Sequence, residues 1–168
     1  MYVVHILSYV LLIGFAYYGL RKGTSTILVT GLSIAILWAV VGLLVPVLAG
    51  VAPLGGGHDP QASKGIWSII LFLPVVIGAI PLGIYVNRFL QWSFDPFDWL
   101  VGLVIGCIIG FTTTRIFLDA VLHAYSGTPE QAILESQFIV RQVYSLDGWH
   151  AVVRWITSLH RPDALSPE

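Results

Sequence analysis

The residues of this chain best placed to do chemistry are Arg115, Asp119 and His123, which with Thr112 recur three or four positions apart and so share one side of a helix. Arg115 and Asp119, four apart, can pair on that surface. Ionisable groups held inside a bilayer are functional candidates. At a helix end, by contrast, a long arginine side chain reaches the headgroups and the pair is ordinary surface chemistry, so the depth of Arg115 decides between the two. His5 is the other candidate: an imidazole one turn into an apolar helix can ligate haem or chlorophyll, relay a proton, or sit at the interface. Against a ligand role, no other apolar run has a histidine at its centre, no C-x-x-C-H attachment sequence is present, and His58, His123, His150 and His160 share no ligand spacing. Cys107 is the single cysteine, which leaves neither a disulfide framework nor a cysteine metal site within one chain. The sequence contains no H-E-x-x-H, no membrane-embedded nucleophile with a base and no paired carboxylates. Gly55-Gly56-Gly57 lacks the lysine and following helix of a phosphate loop. No catalytic residue, metal site or cofactor is expected, and the chain reads as a non-enzyme.

The clearest local pattern concerns packing. Gly102, Gly106 and Gly110 are spaced by four, leaving a strip without Cβ atoms on which another helix backbone can lie close. Gly19 and Gly23, flanking Leu20-Arg21-Lys22, join them as helix-packing residues. The helix lying on the strip belongs either to the same chain or to another subunit.

These residues must be positioned by membrane helices. A soluble domain carries about 45–50% apolar and about 25% charged residues; here the fractions are 57% and 10%, too few charges to cover a soluble chain. A net charge of -1 offers no basic stripe for nucleic acid. Since about 20 apolar residues cross the hydrocarbon core, four spans are predicted, near residues 2–21, 26–48, 66–90 and 96–122. The first run lacks the basic start and cleavage site of a signal peptide and reads as a retained helix. The stretch 50–64, broken by glycine and proline, reads as a water-facing loop. Pro74 and Pro81 predict a bend in the third span, and Asn87, Arg88, Gln91 and Trp92 mark its interfacial end. Asp95 is expected to cap the fourth span, with Pro96 as its first residue and Asp98 favoured by the helix dipole.

The chain thus divides into a four-helix transmembrane domain, 1–126, and an amphipathic interfacial tail, 127–168. In the tail, Thr128-Pro129-Glu130 starts a helix with apolar residues at helical spacing. Trp149, Arg154 and Trp155 beyond it suit a bilayer interface as anchors. The fold expected is an all-α integral membrane protein with four transmembrane helices and an amphipathic helical tail. Arg21, Lys22 and Arg88 place their loops in the cytoplasm and both termini outside, while Lys64, Arg115 and Arg141 argue the other way.

Four features in chain order carry a family resemblance: Gly19-Leu20-Arg21-Lys22-Gly23 closing the first helix, the proline- and glycine-broken loop, the run Phe97 to Gly110 with its repeated glycines, and Glu135-Ser136 opening the tail. This arrangement resembles the colicin V production protein family, small bacterial inner-membrane proteins. The resemblance covers most of the first 145 residues and departs from the family pattern at two places. Members commonly have an aspartate where this chain has His5, and a basic residue soon after the last glycine where it has Thr112 to Thr114. The resemblance implies a multi-pass protein of the bacterial inner membrane that supports peptide-toxin export or envelope integrity, without defined catalysis. Its expected partners are the lipid bilayer and proteins or further copies engaged through the glycine strip and the tail. An accessory subunit of a respiratory or photosynthetic complex is the alternative, and a small transporter the third, since mid-membrane polarity amounts to little beyond Thr30, Ser33 and Ser68.

Overall fold

The computed structural model describes residues 2–54, 60–90, 95–136, 140, 141 and 143, and among these it is helical without a strand. The helices are α1 (Tyr2–Val51), α2 (Pro60–Leu90), α3 (Asp98–Ala124) and the short α4 (Pro129–Glu135). The first three are long and apolar enough to cross a membrane.

α1 is kinked at Gly23, where the backbone takes φ 78° and ψ 175°, a region open essentially to glycine alone. Contacts with α3 reverse their order across this point. Ahead of it, Ser8, Leu12, Phe15 and Gly19 meet Thr114, Gly110, Gly106 and Gly102 in turn, antiparallel to α3. Beyond it, Thr24 meets Asp98 and Gly31 meets Ile109, parallel to α3. The two limbs, 2–22 and 24–51, therefore double back along the same helix. α2 returns antiparallel to the second limb: Asn87 lies at Thr26, Gly83 at Thr30, Phe72 at Trp38 and Trp67 at Ala52.

The seam between these elements follows from sequence period. Ile27, Ile34 and Val41 recur every seven residues and are buried, as is Thr30 between them, the spacing of helices that cross at a small angle. Phe72, Val75, Val76 and Ala79 answer from α2, and Phe117, Leu118 and Val121 from α3. Phe72 joins the layers, edge-on to Trp38 at 6.0 Å and tilted against Phe117 at 5.4 Å. The outer surface is apolar as well: Val3, Ile6, Ile13, Leu32, Leu43, Val47, Leu73 and Ile77 are all exposed. In water such a surface would be one continuous sticky patch; against acyl chains it costs nothing.

Several boundaries differ from the sequence reading. The second limb continues past residue 48 to Val51, and α2 begins at Pro60 within the stretch read as loop. Side chains explain both extensions. Ser63 Oγ accepts from the Leu54 N–H at 3.1 Å, and Trp67 Nε1 donates to the Ala52 carbonyl at 2.9 Å, so side chains of the first turns of α2 satisfy backbone groups just past the end of α1. α2 stays helical through Pro74 and Pro81, whose rings lie on the exposed face. Asp95 is not the cap of α3: Phe97 holds that position, its carbonyl accepting from Leu100 and Val101 at 3.0 Å, and Pro96 lies outside the helix. Asp98 is the first helical residue, and its carboxylate is engaged on α1. Of the tail, α4 starts after Thr128 with Pro129 in the first turn. Leu134, Val140 and Val143 are buried as part of the core.

Candidate functional site

Polar groups converge where α1 kinks. A Cβ at Gly23 would overlap the Asp98 carboxylate, so glycine is required there twice, for its positive φ and for the space. Asp98 Oδ1 accepts from the Thr24 N–H at 3.2 Å, and Thr24 Oγ1 donates to the Asp98 carbonyl at 3.1 Å. The carboxylate thus satisfies an amide in the first turn of the 24–51 limb while sitting in the first turn of α3, and both helix dipoles favour a negative charge at that point. Beside it, Ser25 Oγ donates to Asn87 Oδ1, and Asn87 Nδ2 donates to Thr26 Oγ1 at 2.8 Å. Thr30 Oγ1 turns back to the Thr26 carbonyl at 2.8 Å, and Gly83 of α2 leaves room for the Thr30 side chain. Thr24, Ser25, Thr26 and Thr30 are all buried. The buried Tyr18 hydroxyl faces Thr30 in the same cluster. Chemically the cluster is a set of donors and acceptors that hold three helix ends together, with one carboxylate at its edge.

The second convergence is dry. Gly102, Gly106 and Gly110 are buried, and they face the first limb of the same chain. Cβ atoms at Gly19 and Gly102 would overlap each other's carbonyl oxygens, so each glycine directs a Cα–H at the other's carbonyl, a pair of weak hydrogen bonds. A Cβ at Gly106 would overlap the Phe15 carbonyl, and one at Gly110 would lie 3.0 Å from the Leu12 oxygen.

The remaining residues singled out in the sequence are not gathered into either place. Thr112, Arg115 and His123 are exposed and Asp119 is half-buried along α3; His123 Nδ1 lies 2.7 Å from the Asp119 carbonyl oxygen. His5 is half-buried near the start of α1. Among the described residues no three His, Cys, Asp or Glu side chains form a group that could hold a metal ion. Trp149, Arg154 and Trp155, with Gly55-Gly56-Gly57, His58, Gln91, Trp92, His150 and His160, lie outside the described residues. Sequence reasoning missed the Asp98–Thr24 and Asn87–Ser25–Thr26 contacts. Their signal was Thr24-Ser25-Thr26 directly after Gly23, a run of residues that favour helix starts set between two apolar segments.

Compared with known proteins, the chain matches no family model, no curated protein and no solved structure.

Proposed function

We propose that this chain is a non-enzymatic, four-span membrane protein that supports transport across, or integrity of, a bacterial inner membrane, in the manner implied by its resemblance to the colicin V production family. The observation that carries the reading is the use made of the buried polar groups. Ser8 and Ser33 bond backward to carbonyls of their own helix and Thr114 bonds both its own helix and the Ser8 carbonyl, while Thr24, Ser25, Thr26, Asn87 and Asp98 bond between helices. Polarity inside the bundle is thereby spent on assembly. The reversal of contact order at Gly23 supports counting α1 as two crossings, with α2 and α3 as the third and fourth. The buried Leu134, Val140 and Val143 support a tail that packs on one end of the bundle.

The test is loss of the gene product from the bacterium that makes it. Entry of a dye normally excluded by the envelope should rise, and sensitivity to a detergent should increase. The intact chain should restore both, and Gly106→Leu should not. Unchanged dye entry and detergent sensitivity in the deletion would overturn the reading. Stoichiometric recovery with electron-transfer subunits and a pigment band would favour the accessory-subunit alternative.

A further inference from the structure

A groove of about 220 Å³ runs between the first limb of α1 and α2, lined by Val10, Gly14, Phe15, Tyr18, Val76 and Ile80. It opens at Gly14 and Tyr18 into a second hollow bounded by Tyr17, Arg21 and Lys22. One wall is therefore apolar along its length and ends in two adjacent cations. We propose that this groove binds one anionic phospholipid, its phosphate on Arg21 and Lys22 and one acyl chain lying along Val10, Gly14, Val76 and Ile80.

Length, charge and hydrogen bonding argue for that occupant. From Arg21 to Val10 the helix rises roughly 16 Å, about half of the ~30 Å hydrocarbon core, so the groove spans one leaflet from headgroup to midplane. Arg21 is held in place: its Nε donates to the Tyr17 hydroxyl at 2.9 Å and its guanidinium lies 5.6 Å from the centre of the Tyr17 ring. That contact uses Nε and leaves the two terminal nitrogens for phosphate, the bidentate geometry guanidinium favours. Lys22, exposed next to it, adds a second charge. Tyr18, one turn deeper, lines the groove. Gly14 faces the open space of the groove, where a Cβ would meet nothing within 4 Å. A zwitterionic lipid would bring a choline to the two cations.

This inference rests on bilayer placement and not on the envelope role, so the two fail separately. The full chain is purified in mild detergent, phosphatidylglycerol or phosphatidylcholine is titrated in, and retained lipid is counted by native mass spectrometry. One phosphatidylglycerol per chain is expected, in preference to phosphatidylcholine by roughly tenfold or more, given about tenfold in affinity per 1.4 kcal/mol and about 1 kcal/mol for each basic residue. Arg21→Gln with Lys22→Gln should abolish the preference. Gly14→Phe, whose Cβ meets nothing within 4 Å and whose ring enters the groove, should abolish retention of either lipid while the melting temperature measured without lipid stays at the parent's. Equal retention of the two lipids, full retention by Gly14→Phe, or a dimer that carries no lipid would each overturn the proposal. A chain that inserts into liposomes and shows no lipid preference defeats this inference alone; one that fails to insert defeats the membrane reading beneath it.

Discussion

The first limb of α1 and the second limb meet their neighbours by opposite means. The first lies on α3 through glycine and backbone, with Gly19 against Gly102 and Phe15 and Leu12 against Gly106 and Gly110. The second meets α2 through hydroxyls and an amide, with Ser25 and Thr26 on Asn87 and Thr30 beside Gly83. Lipid supplies no hydrophobic force to drive helices together, which leaves close van der Waals approach and interhelical hydrogen bonds as the available sources of cohesion. This chain uses one on each side of the Gly23 kink, and Asp98 joins the two regions. The glycine contact cannot yield, because its neighbours are backbone atoms; the hydrogen-bonded contact can re-pair or relax. Substitutions should therefore hurt more on the first side than on the second.

The largest loss is expected at Gly106→Leu. A Cβ there overlaps the Phe15 carbonyl and lies 3.2 Å from the Ala16 Cα, so the cost falls at the upper end of the about 1–3 kcal/mol typical of overpacking. Thermal unfolding in one detergent should show the drop, and a parent-like melt would move the strip out of the protein interior. Gly23→Ala follows at about 2 kcal/mol, from a backbone region that side chains avoid and from displacement of the Asp98 carboxylate. Asp98→Ala removes the acceptor of the Thr24 N–H and should cost about 1 kcal/mol. Asp98→Asn, which keeps an acceptor and loses the charge, should recover part of it, and the remaining deficit measures the dipole interaction. Asn87→Leu removes two hydrogen bonds and should cost about 1 kcal/mol, at an average of about 0.6 kcal/mol for each such bond between membrane helices. If Asn87→Leu proved worse than Gly106→Leu, the contrast between the two regions would be inverted. Ile108→Leu, on the exposed face of α3, should stay within about 0.5 kcal/mol of the parent.

Much of the helical content was legible because long apolar runs leave few alternatives: Tyr2 to Leu20, the run after Thr26, and Phe97 to Phe117 each read as helix from composition alone. The glycine strip could be recognised as a packing surface by its spacing, but spacing cannot identify what lies on it. That the first limb lies there depends on the reversal at Gly23, and a lone glycine after two basic residues also suits a helix that simply ends. The ends of α1 and α2 were misplaced because the Ser63 and Trp67 contacts that extend them join residues 9 and 15 apart, beyond any local pattern. Asp98 was read correctly as a helix-start residue but only for its own helix; its contact with Thr24 spans 74 positions, and nothing in a sequence period reports such a pairing. Arg115, Asp119 and His123 drew attention by type and spacing, although the buried polar cluster formed around less conspicuous threonines, a serine and an asparagine.

The most direct test of the doubled-back arrangement is labelling from each side of the membrane with an impermeant maleimide, using single cysteines at Val3, Lys22 and Ala52 in a Cys107→Ser background. If α1 reverses at Gly23, Lys22→Cys should react from one face only, and Val3→Cys and Ala52→Cys from the opposite face. Protection of Lys22→Cys from both faces, or reaction of Val3→Cys and Ala52→Cys from different faces, would contradict the account.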